Sequence, residues 1–490
     1  MQWTWNKRFT RILIAGVSLT SAAAVVIPNL KASHDATGTV ATFNKAGDID
    51  EQNAFFQNQG TNGRACVSCH QPEQAFSITP KAVKLVYDRT AGKDPLFAAV
   101  DGANCPTGNQ DDASAHSLLL EKGLIRVGIT LPAHPQFSIA VVHDPYHCAI
   151  TTDPATGGNV VSVYRRPLPT VNLRFLSTVM FDGRETLAPL NNATTFQNNL
   201  VFNLTDQALS AIQTHNQGTN PSPQTLAEIV QFELGLSTAQ VSDNAAGSLN
   251  LHTAGGGASA LDGQTYYPGT NDALGADPQG HAFNSSAFTL YSAWEKDPSH
   301  DLWSDKDKNA AREDIAAGEK LFNTQVATIT GVRGLNDNAA LGSPASIKGT
   351  CTTCHDTPNV GNHSVALPLD IATSRQAEYE TNPAIVSALR QLTSADLPVY
   401  EIRGCPDPAN PSKTINYYTS DPGKGLITGL CADVNRGKGP ILRGLAARAP
   451  YFHNGAAGNL DQLVNFYDKR FDMKFTETEK KQLIAFLNSL

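Results

Sequence analysis

The sequence predicts a mostly α-helical protein of two domains joined by long irregular connections. Two observations carry this: a Cys-x-x-Cys-His unit that occurs twice, far apart, and amphipathic helical stripes set among turn-rich stretches. The units are Cys66-Val-Ser-Cys69-His70 and Cys351-Thr-Thr-Cys354-His355. Each is the attachment signature of c-type haem, in which two sulfurs bond the macrocycle and the adjacent imidazole becomes the proximal iron ligand. With 8 Cys and 13 His in 490 residues, two chance matches are not expected. A zinc ribbon is the rival reading. It leaves both histidines unexplained and must join thiolates 285 residues apart. Two covalently attached haem c groups are therefore expected, with Cys66, Cys69, Cys351 and Cys354 as attachment points and His70 and His355 as iron ligands.

The elements follow in chain order. Arg8 and Arg11 precede an uncharged stretch from Ile12 to Leu30. Residues 1–32 therefore read as a secretory signal peptide cleaved near Ala32 or slightly earlier, with an uncleaved anchor as the alternative. Ser18, Thr20, Ser21 and Pro28 weaken a membrane span and favour cleavage. The remainder is expected in the periplasm, with no stable membrane insertion. Residues 38–304 form the first domain, opening with a helix that carries Phe55 and Phe56. Residues 79–164 are rich in Gly, Pro, Asn and Asp and read as an insertion with occasional short strands, such as Phe137 to Val142. Helices are expected over Asp206–Thr214 and over Thr225–Leu236, the latter with Leu226, Ile229, Val230 and Leu234 on one side.

Asp297 to His300 and the charge cluster Asp305 to Lys308 read as a solvated linker, opening a second domain over 305–490. That domain begins with a helix from Ala310 to Phe322, with Ile315, Gly318 and Phe322 on one face. It closes with Thr476 to Leu490, capped by Thr476 and Glu479, with Leu483, Ile484, Leu487 and Leu490 as its stripe. Four cysteines remain. An even number in an exported chain argues for disulfides, and the local pairing is Cys105–Cys148 and Cys405–Cys431, with free thiols as the alternative. The formal charge is −8, four units more negative once Lys7, Arg8, Arg11 and Lys31 are removed. That excludes nucleic acid as a ligand and suits a partner with a positive docking face.

A helix with Gly and Phe, a Cys-x-x-Cys-His and a closing amphipathic helix together resemble a cytochrome c domain. The segment Gly439-Pro-Ile-Leu-Arg-Gly-Leu-Ala-Ala-Arg-Ala-Pro-Tyr-Phe-His-Asn-Gly455 closely resembles a block of the bacterial di-haem cytochrome c peroxidases and the related MauG-like oxidases. Phe181-Asp182-Gly183-Arg184 and Arg166-Pro-Leu-Pro-Thr-Val-Asn172 resemble two further family elements. The resemblance implies two cytochrome c-like domains. Hydrogen peroxide would react at the haem on His70, with electrons from a small cytochrome c or cupredoxin passing through the haem on His355. The alternatives are a MauG-like oxidase of a protein or organic substrate, and a di-haem electron-transfer cytochrome without substrate chemistry.

Carried over position by position, the distal ligand of the second haem falls on Tyr467, with Met473 as the competing ligand. Tyrosine there is the MauG-like choice and methionine the peroxidase choice. A thioether raises the iron potential, whereas a phenolate lowers it. The second histidine that the family often places on the first haem is missing, because position 86 is Val. That haem is expected to be open unless His116, His134, His143 or His147 folds back. Gln207 stands near the family's distal glutamine, and Gln217 falls where its acid would be. His215 is preferred as acid/base and Glu185 is its rival. His453 is expected near the space between the haems. The family's calcium would use the carbonyls of Arg448 and Pro450 and a side chain at Pro167, which offers no oxygen. Phe181 replaces a tryptophan, leaving Trp294 and Trp303 for any relay.

Overall fold

A computed structural model describes residues 29–393, 396–408 and 410–490. Most of the signal-peptide reading falls on residues 1–28 and lies outside the described residues. Its last part does not: Leu30–His34 is a strand paired antiparallel with Gly38–Asn44, so a cut at Ala32 would fall inside a paired strand.

The expectation of a mostly α protein is overturned. The described residues are 33% helical and 17% strand, and the strands form four sheets. One sheet joins Leu30–His34, Gly38–Asn44, Leu236–Asp243 and Gly247–Ser248. Leu236–Asp243 escaped notice because it lacks the alternation that marks a strand. Its Ser237, Thr238 and Gln240 are buried beside Leu236 and Ala239. They are held by polar bonds such as Thr42 Oγ1 to Thr238 Oγ1 at 2.7 Å and Thr238 N–H to Asn172 Oδ1 at 2.8 Å. The segment read as an insertion carries two helices, Pro80–Thr90 and Ser117–Lys122, and four strands. Three of these strands, Ile125–Thr130, Asn159–Arg165 and Ile150–Thr152, make a sheet of their own. The fourth, Ser138–His143, pairs with Val399–Asp407, which pairs in turn with Asn410–Thr419. The smallest sheet is Ala327–Ile329 against Ile347–Gly349.

The helices after residue 305 match their patterns. Asn309–Thr324 buries Ile315, Gly318 and Phe322 against the closing helix Glu477–Asn488. Gly318 is required there: a Cβ would lie 2.0 Å from the Gln482 carbonyl oxygen. Thr476 and Glu479 form the expected capping box. Asp305, expected in a solvated linker, instead bonds the buried Arg312 guanidinium and accepts from His252 at 3.0 Å. In the first half Pro223–Leu234 buries Leu226, Ile229 and Val230, and the expected Asp206–Thr214 helix begins earlier, at Phe196. Cys105–Cys148 and Cys405–Cys431 are both disulfides, with Cα separations of 5.9 and 5.4 Å. Among the described residues no helix is long and apolar enough to cross a membrane.

Candidate active site

The two Cys-x-x-Cys-His units fold alike. Each starts as a single 3₁₀ turn, Cys66–Ser68 or Cys351–Thr353. The N–H before the first cysteine donates to a hydroxyl three residues on, Ala65 to Ser68 Oγ at 3.2 Å and Thr350 to Thr353 Oγ1 at 2.9 Å. Each histidine N–H donates to the carbonyl of the first cysteine. Each imidazole Nδ1 meets a carbonyl six residues further on, Phe76 O at 3.2 Å and Gly361 O at 2.5 Å. That contact fixes Nδ1–H as the donor and leaves Nε2 free to bind a metal, as ligating histidines require. Burial pushes the His70 imidazole down to about 4, so the ring is neutral. The four motif cysteines are not disulfide-bonded. Cys66 packs against the first-half core and Cys351 against the C-terminal core, so the thiols do not form one zinc site. Burial raises all four, Cys69 to about 11 and Cys351 and Cys354 to about 12, so none is a ready thiolate.

Beside the first unit lies a polar network. Arg64 is fully buried and donates to the carbonyls of Pro95 at 2.7 Å and Leu96 at 2.7 Å, and to the carboxylate of Asp101. Asp101 also binds Nδ1 of His215, the residue that ends the Phe196–Thr214 helix. Burial alone would raise the Asp101 carboxyl, but the Arg64 guanidinium and the His215 ring hold it below the usual range. Glu185 is placed elsewhere. It is buried beside Asp206 and Ser210 of the same helix, and burial followed by the Asp206 hydrogen bond raises its carboxyl. Asp206 and His215 are about 13 Å apart along the helix, so Glu185 and His215 serve different places. Gln207 is half-buried on that helix and, among the described residues, makes no side-chain hydrogen bond. Gln217 is exposed.

Of the histidines considered as an extra ligand, His116 is buried with both ring nitrogens engaged, by Gly102 O at 2.7 Å and Gln110 O at 3.0 Å. His134, His143 and His147 are exposed. Arg64 and Asp101 escaped the sequence reading. Asp101 sits in an ordinary Asp-Gly turn of the supposed insertion, and no spacing rule connects it to either motif.

The second unit faces an apolar cavity lined by Cys351, Cys354, His355, Phe322, Tyr467 and Met473. The Phe322 ring lies 5.9 Å from the His355 ring. Tyr467 stands on the Leu460–Phe471 helix, stacked on Phe471, and among the described residues its hydroxyl has no hydrogen-bond partner. Burial raises this phenol, and Cys354 and Cys351 raise it further. Met473 borders the same cavity, so both candidate ligands are present.

The cavity extends toward the first half, where Arg166, Lys438 and Arg448 line it. All three are bonded to backbone carbonyls only, and burial pushes them down to about 9, 8 and 10. Arg166 is buried and Lys438 and Arg448 are half-buried; among the described residues none has a carboxylate in hydrogen-bond range, which fits a haem whose propionates would complete their pairing. Calcium does not fit. The Arg448 carbonyl is taken by the Arg166 guanidinium at 3.1 Å, which also donates to Lys122 O at 2.9 Å and Ile78 O at 2.5 Å. A fixed cation already fills the place. Phe181 stacks on His453 at 4.3 Å, and burial pushes that imidazole down to about 4. Arg165 bridges Asp182 at 2.5 Å and Asp421 at 2.7 Å beside them. Trp294 is fully buried, and Trp303 is stacked on His252 at 3.8 Å and on His300 at 4.1 Å.

No protein-family model matches the chain. A protein of Denitromonas iodatirespirans named cytochrome-c peroxidase IdrP2 is 31% identical over 156 residues, covering 29% of this chain and 36% of that protein. A protein of Nitrosomonas europaea named cytochrome c551 peroxidase is 36% identical over 77 residues, covering 15% of this chain and 23% of its own. The aligned parts span about a third and about a quarter of these relatives. Two curated relatives named as cytochrome c peroxidases, together with the paired attachment turns, support an oxidoreductase that uses haem c.

Proposed function

We propose that the protein is an exported di-haem peroxidase that reduces hydrogen peroxide to water beside His70, with electrons delivered one at a time through the site of His355. The observation that carries this reading is the contrast between the two turns: a bonded Arg64–Asp101–His215 network at the first, an apolar pocket bordered by Tyr467 and Met473 at the second. Haem c at both turns would supply the redox chemistry, which consumes two electrons and two protons per peroxide to give two waters. The chain's part is to hold and move protons. His70 and His355 are oriented through Nδ1 so that Nε2 faces the metal position. Asp101 fixes His215 through Nδ1, leaving Nε2 to take a proton from one peroxide oxygen and return it to the other. Arg64 keeps Asp101 ionised in a buried place. The electrons would come from a small cytochrome c or cupredoxin, to which a net charge of −8 is suited.

Tyr467 favours a second reading, a MauG-like oxidase, because a phenol with an open hydroxyl in the second cavity would stabilise oxidised iron. One measurement separates the readings, including a plain electron-transfer cytochrome. The oxidised holoprotein should show one high-spin and one low-spin haem by electron paramagnetic resonance. Cyanide should convert the high-spin signal, and peroxide should be consumed catalytically with a reduced cytochrome c. Two low-spin signals without peroxide turnover would leave the electron-transfer reading. Oxidation by peroxide without turnover of a reduced cytochrome would favour the oxidase.

A further inference from the structure

We propose that Asp272, Asp356 and His363 bind a divalent metal ion of the zinc class beside the C-terminal attachment turn. One ligand atom from each residue lies within 4.8 Å of those of the other two. The residues are 1%, 0% and 3% exposed. Among the described residues neither carboxylate has an arginine or lysine partner. Asp356 Oδ2 meets His363 Nδ1 at 2.8 Å and Asp356 Oδ1 accepts from Ser364 N–H at 2.7 Å. Asp272 Oδ2 accepts from the N–H groups of Leu274 and Ala276 at 3.0 and 2.8 Å.

The remaining atoms point to a ligand. Among the described residues Asp272 Oδ1 is buried without any partner, and so are the side-chain oxygens of the neighbouring Thr357, Asn362 and Ser364. Two buried carboxylates at this range repel each other and have lost their hydration; the His363 ring pairs with Asp356 alone, and a divalent ion would neutralise both. His363 would give the ion Nδ1, the nitrogen that lies 2.8 Å from Asp356 Oδ2, and would lose the proton there on binding. One imidazole and two carboxylates suit zinc better than calcium, which takes oxygen ligands alone. The ion would clamp two loops already joined by Gly269 N–H to Ser364 O at 3.0 Å. One of these, from Asp356 to Ser364, contains Gly361, whose carbonyl orients His355.

The test is metal analysis of the purified holoprotein after equilibration with Zn²⁺ and desalting. The expected result is one zinc per chain beyond the haem iron. Asp272→Asn and His363→Gln should each lose most of that zinc while haem content, by pyridine haemochrome, stays at the parental value. Parental protein that carries both haems but retains less than about a tenth of an equivalent would overturn the proposal, and so would variants that keep the zinc. Retention of calcium in preference to zinc would overturn the assigned class. Should the variants not fold, the parental protein decides: EDTA should lower its melting temperature and Zn²⁺ restore it, and an unchanged melt would sink the site.

Discussion

The two attachment turns are near copies in backbone, down to the hydroxyl that accepts the leading N–H and the carbonyl that orients the imidazole. Each histidine has a phenylalanine ring near it, Phe55 at 6.5 Å and Phe322 at 5.9 Å, but the polar surroundings differ. The first is backed by Arg64, Asp101 and His215, the second by an apolar cavity with Tyr467 and Met473. In the proposed reading, attachment is a local property of a five-residue unit, while reactivity would be set by residues brought from far along the chain. A proton-handling group beside one metal position and an aromatic or thioether beside the other is the division of labour a peroxide reductase needs.

The sharpest way to break this contrast is to remove the proposed acid–base group. His215→Ala should slow the reaction with peroxide by roughly 10²–10⁴-fold in stopped-flow, leaving the spectrum of the C-terminal haem unchanged. Glu185→Gln should react at the parental rate, and a collapse in that variant instead would move the role to the Asp206 side of the helix. Asp101→Asn should have a smaller effect, about 10–100-fold, because His215 remains but loses its fixed orientation. Substitutions at the other site should change spectra rather than peroxide chemistry. Tyr467→Phe is expected to alter the C-terminal haem spectrum while Met473→Leu does not, and the reverse pattern would name Met473 as the ligand.

A stability measurement probes a buried acid on the Pro223–Leu234 helix. Glu233 is 3% exposed with one carboxylate oxygen unpartnered, and burial pushes it from 4.5 up to about 8. The folded protein therefore keeps a proton that the unfolded chain releases. Stability should fall as pH rises from about 4.5 to about 8. Glu233→Gln should remove that slope, gaining ~1–3 kcal/mol at pH 8 and little at pH 5 in thermal melts. The smallest expected effect is none at all. Added calcium or its chelation should leave the peroxide rate unchanged, since the Arg166 guanidinium occupies the carbonyl that calcium would need.

Much of the second half was legible because its helices carry their own signals: the Thr476 capping box, the stripe Leu483–Leu487, and Gly318 at a close helix crossing. Both disulfide pairs followed from local spacing. The strands were not legible. Leu236–Asp243 buries polar side chains that bond across the sheet, and Val399–Asp407 finds one of its partners more than 250 residues earlier. No window of sequence holds either fact. The attachment turns could be read from five residues. Arg64 and Asp101 could not, because their roles come from a salt bridge between a buried guanidinium and a turn aspartate.

The pairing of Ser138–His143 with Val399–Asp407 also governs how the molecule is built. During synthesis the earlier strand waits for about 260 residues, on the order of 10–50 s at ordinary elongation rates, before its partner exists. Through that interval Val141 and Val142, still 39% and 43% exposed in the finished fold, lie on an unpaired edge. The Arg165–Asp421 ion pair waits over the same span. The two halves therefore cannot mature one after the other. Contacts of such sequence separation make folding slow, and a chain halted at residue 304 would present a sticky strand rather than a finished domain.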